Sequence, residues 1–229
     1  DPSQNSTFFF SLRTENNDET EQADVQLFKA TDMMKQMITL ADGKYLFGDL
    51  AASAYRVKPV RNDDPVNGVS TADIVKIQRH ILGVETLNSP YKLIAADVNL
   101  SNNITASDVS EIRKLILGVT SQFSKTQSWT FVPSSYVFAN PAQPWTAPRE
   151  ATMDVVKGAN MVENFVAIKM GDVNATARGH NVAGSTSRTN GALQLEVADN
   201  NTVAGELYRV AFKSSNFSNI AGYQFTLKF

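Results

Sequence analysis

Asp97-Val98-Asn99-Leu100-Ser101-Asn102-Asn103-Ile104-Thr105-Ala106-Ser107-Asp108 is a twelve-residue run in which oxygen-bearing side chains recur at every second position. That spacing suits a calcium loop. Ca2+ takes about six to eight oxygen ligands, and a short chain supplies them by alternating ligand residues with residues pointing away. Asp97, Asn99 and Ser101 offer side-chain oxygens at loop positions 1, 3 and 5, and Asn103 a main-chain carbonyl at 7. Thr105 offers a hydroxyl or a held water at 9, Asp108 closes the cage at 12, and Ile104 at 8 is the apolar residue expected to tie this loop to a partner.

A weaker copy occupies residues 62–73, Asn62-Asp63-Asp64-Pro65-Val66-Asn67-Gly68-Val69-Ser70-Thr71-Ala72-Asp73, so the repeat period is 35 residues (97 − 62). It keeps Asp64 at 3, Gly68 at 7, Val69 at 8, Ser70 at 9 and Asp73 at 12. Val66 at 5 lacks a side-chain oxygen and Asn62 replaces Asp at 1, a defect that Asp63 would repair if the loop slipped by one residue. The expected ligands are therefore Asp97, Asn99, Ser101, Asn103 and Asp108 in a filled site, and Asn62, Asp64, Gly68 and Asp73 in a weaker or irregular one. Each loop runs into a helical pattern, Ile74, Ile77, Ile81, Leu82 and then Gly83, or Val109, Ile112, Leu115, Ile116 and then Gly118. A lone Asp/Asn/Ser turn before a helix reads as an N-cap; two in register, each with Asp at 12, read as calcium loops. Asp172 and Asn174 copy positions 1 and 3 again, but no helix follows them, and the pattern there reads as a turn, with a calcium contact as the alternative.

An EF-hand would place a helix before each loop and usually Glu at 12, whereas here extended sequence precedes and Asp closes. With those features, the stretch Ala96-Asp97-Val98-Asn99 through Leu117-Gly118 resembles the dockerin type I family, as does Asn67-Gly68-Val69-Ser70-Thr71-Ala72-Asp73 through Ile81-Leu82-Gly83. The resemblance implies two calcium loop-helix repeats packed as a pseudo-symmetric pair that binds a cohesin domain. Residues 63–83, Ser89-Pro90-Tyr91-Lys92 and Phe165-Val166-Ala167-Ile168-Lys169-Met170-Gly171-Asp172-Val173-Asn174 look like a dockerin-like variant of large secreted surface proteins of Gram-negative bacteria with type IX-like export. Family dockerins have a shorter inter-repeat stretch and no long tail, so the segment after Gly118 is read as an extension covering part of the module.

Upstream, residues 7–12, Val25 and Leu27, Asp42-Gly43-Lys44-Tyr45-Leu46-Phe47 and Tyr55-Arg56-Val57-Lys58-Pro59-Val60 carry turn and strand signals. Their order is similar to the carboxypeptidase-regulatory or CnaB-like prealbumin sandwiches. Phe8, Phe9 and Phe10 put aromatics on both faces of the first strand, one for a core and one for an interface. Downstream, Leu193-Gln194-Leu195-Glu196-Val197, residues 205–212 and residues 222–229 alternate cleanly, with Tyr208, Val210, Phe212, Tyr223, Phe225, Leu227 and Phe229 inward. With the turn Asn216-Phe217-Ser218-Asn219-Ile220-Ala221-Gly222-Tyr223, this resembles the start of a cohesin-like sandwich. A sandwich left at three or four strands has open edges, so the chain is expected to continue beyond Phe229, and its opening on Asp1-Pro2 suggests a processed product or an excerpt.

The expected architecture is multidomain and mainly β with a small α module. A prealbumin-like β-sandwich spans 1–61, and a dockerin-like calcium-binding module with a wrapping extension spans 62–174. A linker rich in Gly, Ser, Thr, Asn and Arg follows at 175–190, then the N-terminal part of a cohesin-like β-sandwich at 191–229. Within the extension, residues 129–133 and 136–138 read as short strands or wrapping loops and residues 140–149 as irregular.

Composition excludes several classes. With 229 residues there is room for two or three small domains, and a net charge of −2 provides no basic excess to recruit nucleic acid or an anionic membrane. The chain has no cysteine, so metal ions are the available staples. Apolar stretches such as residues 165–168 fall far below the roughly 18 residues of a membrane-spanning helix. His80 and His180 lie in a helix and a linker, and no nucleophile elbow, phosphate loop or zinc-protease pair is present, so no catalysis is expected. The function expected is that of an extracellular or cell-surface, calcium-stabilised structural or assembly protein. Its partners would be further copies or other surface proteins, met by strand pairing or cohesin-dockerin-like contacts. The alternative is the non-catalytic anchoring or spacer region of a secreted hydrolase. A carbohydrate-binding module, resting on Trp129, Trp145 and Tyr136, ranks third; Trp145 beside prolines reads better as packing over the calcium module. Asn5, Asn200 and Asn216 stand in glycosylation acceptor triplets.

Overall fold

The computed structural model describes residues 6–179, 196–197 and 210–214. In chain order these form β1 (Ser6–Thr14), β2 (Asp24–Lys29), β3 (Asp32–Ile38), β4 (Lys44–Leu50) and β5 (Ser53–Val60), then α1 (Thr71–Ile81), α2 (Pro90–Ala96) and α3 (Ala106–Ile116). After the helices come β6 (Trp129–Pro133), β7 (Ala151–Val155), β8 (Asn160–Val162) and β9 (Phe165–Lys169), with the short β10 (Glu196–Val197) and β11 (Phe212–Lys213) beyond. The protein is mainly β, with a few helices and several sheets. No described helix is long and apolar enough to cross a membrane.

Strand alternation sorts the consecutive phenylalanines as a period of two requires: Phe8 and Phe10 are buried while Phe9 is 45% exposed. β1 lies inside a sheet ordered β4-β1-β9-β6, antiparallel to β4 and parallel to β9. β8 and β9 form one interrupted line along β1, because the pairs Thr7↔Asn160 and Leu12↔Phe165 keep a single register. At the interruption Ser11 donates its N–H (3.0 Å) and its hydroxyl (2.8 Å) to Asn164 Oδ1, so a side chain replaces the missing ladder bond. The second sheet, β3-β2-β5-β7, is antiparallel throughout.

Phe8, Phe10, Leu12, Tyr45 and Phe47 of the first sheet meet Val25, Leu27, Tyr55, Val57, Met153 and Val155 of the second in one core. Residues 6–60 and 129–169, expected on either side of a domain boundary at 61/62, therefore share both sheets, and residues 6–179 fall in one unit. The physical reason is edge protection. Strands β1 to β5 alone would leave β1 and β5 as open edges and their apolar faces uncovered; β9 pairs with β1 and β7 with β5, which covers those two edges.

A second core lies behind the first sheet. Phe165 and Ala167 of β9 face the core between the sheets, whereas Ile168 and the following Met170 join Val132 of β6 against Ile74, Ile77, Val109, Ile112 and Leu115 of the helices. β9 is thus the wall between two cores, and its end is carried to the start of α1. Ser70 and Thr105 cap α1 and α3, and Gly83 (φ +67°) and Gly118 (φ +68°) follow the helix ends as predicted. The apolar stripe of α1 is shorter than expected, since Ile81 and Leu82 are exposed. α2 was not foreseen; Ser89 caps it, accepting from Tyr91 N, with Pro90 at its first position.

The expected linker begins docked rather than free. Gly179 O accepts from Glu21 N at 2.9 Å and from Arg61 Nη1 at 2.6 Å, and Ala177 is buried. The remainder of that linker, with His180, and most of the cohesin-like segment lie outside the described residues. In a separate unit, β10 pairs antiparallel with β11 through Glu196↔Lys213 and Val197↔Phe212.

Candidate metal centre

α2 ends at Asp97 and α3 begins just past Thr105, so the loop between them is held at both ends by helices packed in the second core. Ser101 N donates to Asp97 Oδ1 (2.9 Å) and Asn102 N to Asp97 Oδ2 (2.8 Å), which folds the first half of the loop around the carboxylate. Asn99 N donates to Asp108 Oδ1 (3.3 Å) and Thr105 N to Asp108 Oδ2 (2.9 Å), drawing the closing carboxylate onto the opening one. The Ser101 hydroxyl reaches Asn103 O at 2.9 Å. Asp97 and Asp108 are buried, and Asn99 Oδ1 is a fully buried oxygen without a hydrogen-bond partner. Burial, with a further push from Asp97, raises the Asp108 carboxyl above its ordinary range although Thr105 and Asn99 donate to it. The loop thus gathers Asp97, Asn99, Ser101, Asn103, Thr105 and Asp108, an all-oxygen donor set with two carboxylates. That set fits a hard divalent cation such as Ca2+, and the unpaired Asn99 oxygen is what such an ion would satisfy. Among the described residues no group of three or more acidic or histidine side chains that could hold a metal ion is present, so any ion here would draw on amide, hydroxyl and carbonyl oxygens beside the two carboxylates.

Of the ligands read from the earlier loop, the structure brings Gly68 and Asp73 together but sends Asn62 and Asp64 elsewhere. Asn62 Oδ1 accepts from Ser128 N at 2.8 Å, and Asp64 is exposed, its carbonyl accepting from Asn67 N at 3.1 Å in a tight turn. Asp63 does not step in. It pairs with Arg61 through Nε (2.6 Å) and Nη2 (3.0 Å), while the Arg61 guanidinium lies over the Trp129 ring at 4.9 Å.

The residues facing Asp73 come instead from the end of β9. Val173 N (2.9 Å) and Asn174 N (3.1 Å) donate to Asp73 Oδ1, and the N–H and hydroxyl of Ser70 donate to Oδ2, each at 2.9 Å. Thr176 N (3.3 Å) and Ala177 N (2.6 Å) donate to the two oxygens of Asp172, and the Thr176 hydroxyl to Gly68 O at 3.1 Å. Asp172 and Asn174, read as a turn, do form one, and that turn sits on α1. Burial and the neighbouring Asp73 charge push the Asp172 carboxyl up to about 6, and burial also raises Asp73. The ammonium of Lys169 donates to Pro65 O at 2.7 Å; burial pushes it down to about 7 against the pull of Asp64, Asp172 and Asp63. Compared with known proteins, the chain matches no family model and no curated sequence.

Proposed function

We propose that this chain is a calcium-stabilised structural segment of an extracellular, dockerin-like assembly protein, with no catalytic role of its own. The observation that carries the reading is the convergence of Asp97, Asp108 and the unpartnered Asn99 oxygen at the start of α3. When bound, Ca2+ would be held by Asp97, Asn99, Ser101, Asn103 and Asp108 and would supply charge neutralisation for the two carboxylates. The chain's own part is to hold Asp97 at the end of α2 and Asp108 at the start of α3, so that filling the cage locks two helices to each other. Extracellular modules bind calcium at about 10⁻⁴ to 10⁻³ M, a range that external calcium keeps filled.

The partner is a second copy of the chain, met by strand addition. Support comes from β3, which among the described residues pairs with β2 alone and exposes Met33, Met34, Met37 and Ile38 along its length. Light scattering in calcium and in chelator is the test. The expected result is a mass above the monomer that survives dilution in about 2 mM calcium and falls to the monomer on chelation. A chain that binds calcium yet stays monomeric would overturn the assembly role and favour a spacer in a secreted hydrolase; a chain that binds none would overturn the whole reading.

A further inference from the structure

We propose that the chain holds a second calcium site split between two distant segments, with Asp172, Asn174 and Thr176 from the end of β9 meeting Gly68, Ser70 and Asp73 at the start of α1. It rests on the reading of residues 97–108 as a calcium loop, and deepens it by assigning ligands that the contiguous stretch 62–73 does not provide.

The two cages correspond position by position. Asp172 occupies the place of Asp97: each accepts from the N–H groups four and five residues on, Thr176 and Ala177 in one cage, Ser101 and Asn102 in the other. Asp73 stands for Asp108, each accepting from the N–H of the position-3 asparagine and from the helix cap. The position-5 hydroxyl, Thr176 or Ser101, reaches the position-7 carbonyl of Gly68 or Asn103. Even the left-handed residue at position 4 recurs, Ala175 at φ +58° and Leu100 at φ +55°. What differs is connectivity. Where Asn102 and Asn103 are joined by a peptide bond, Ala177 and Gly68 meet at a non-covalent seam, flanked by hydrogen bonds between Asn67 and Arg178 (2.9 and 3.3 Å).

A turn pinned to a helix would produce many of those bonds without any ion, so the case turns on what they leave unsatisfied. Asn174 Oδ1 is a fully buried acceptor with no hydrogen-bond partner, just as Asn99 Oδ1 is in the contiguous cage. Beside it stand two carboxylates shut away from water, Asp73 fully buried and Asp172 at 6% exposure. A buried oxygen with no donor and two neighbouring buried carboxylates are each unfavourable alone, and a network serving only to fasten a turn would not accumulate both. Lys169 offsets part of the charge, but its Nζ is turned to Pro65 O, and among the described residues it makes no ion pair with either carboxylate. Two carboxylates, a carboxamide, a carbonyl and two hydroxyls are the hard oxygen donors that Ca2+ takes.

The test is calcium stoichiometry on the full chain, by isothermal titration and by terbium luminescence, with far-UV circular dichroism in chelator to check the fold. Wild type is expected to take two ions. Asn174→Ala should take one, without cost to the fold, because the deleted oxygen makes no protein hydrogen bond; Asn99→Ala should likewise take one, and Asp64→Ala should keep two. Asn174→Asp adds a carboxylate and should tighten the split site about tenfold, an effect that a purely structural asparagine would not produce. Loss of an ion from Asp64→Ala with two retained in Asn174→Ala would overturn the split site in favour of the contiguous loop. A single ion in wild type, abolished by Asn99→Ala, would overturn it while leaving the loop at residues 97–108 standing. No ion in wild type would remove that reading as well.

Discussion

Replacing Gly68 by alanine measures the seam on which the second cage depends. Gly68 has φ +73°, and so carries the same left-handed backbone as Gly83 (φ +67°) and Gly118 (φ +68°), but its surroundings are opposite. A Cβ on Gly83 or Gly118 would meet nothing within 4 Å, whereas one on Gly68 would run into Ala177 N and stand 2.5 Å from its Cα. The shared backbone term is about 1 kcal/mol for each of the three substitutions. At Gly68 the Ala177 backbone must also withdraw, which breaks the bond from its N–H to Asp172, at 2.6 Å. A hydrogen bond to a charged group contributes about 1.5–3 kcal/mol. The expected losses are therefore about 1 kcal/mol for Gly83→Ala and Gly118→Ala and about 2.5–4 kcal/mol for Gly68→Ala. Urea unfolding in chelator reads the packing without any ion, and equal slopes among the variants license comparison of midpoints. A Gly68→Ala protein no less stable than Gly83→Ala would refute the close approach and with it the seam.

Other expectations follow from the same geometry. Asp108→Asn keeps the shape of the closing residue but removes its charge, so it should change stability by about 1 kcal/mol in chelator while abolishing about 2 kcal/mol of calcium-dependent stabilisation; a calcium-induced rise in Tm equal to wild type would contradict this. Lys169 has a folded pKa of about 7 against an ordinary 10.5, so between those values the unfolded chain binds a proton that the folded chain does not. Stability in chelator should therefore climb as pH rises through that window, by at most about 1.4 kcal/mol per unit. Lys169→Met should flatten the climb, and parallel urea-midpoint profiles for the two proteins would count against it. Arg61→Met removes the guanidinium that joins Asp63, Trp129 and Gly179 O, and should cost about 2–3 kcal/mol. It should also expose the chain after Asn174 to limited proteolysis in chelator; an unchanged digestion pattern would show that Arg61 does not anchor that segment.

The loop at residues 97–108 and the two capped helices were legible because every interaction that shapes them is local. Position 1 closes on positions 5 and 6, the cap lies three residues before Asp73 or Asp108, and the apolar stripe follows a single helical period. The other cage was only half legible. Gly68 and Asp73 stand in the contiguous repeat, but the residues that face them lie some 100 positions away. A signal was present nonetheless, since Asp172-Val173-Asn174 repeats Asp97-Val98-Asn99 letter for letter. It read first as a turn, with a calcium contact only as the alternative, because no helix follows in sequence; in space one does, and it is α1. The membership of β6, β7 and β9 in the two sheets was hidden for a related reason. Strands of five residues set among proline-rich loops carry little pattern of their own, and what recruits them is the open edges and apolar faces of β1 and β5.

The docking of residues 177–179 determines how this unit bears tension. A pull arriving along the chain beyond Gly179 meets the bonds from Glu21 and Arg61 to the Gly179 carbonyl, and the paired amides of Asn67 and Arg178, before it reaches β9. Load is thereby shared at once between the segment entering β2, the end of β5 and the approach to α1. Peeling would have to break this set together rather than unzip one strand at a time.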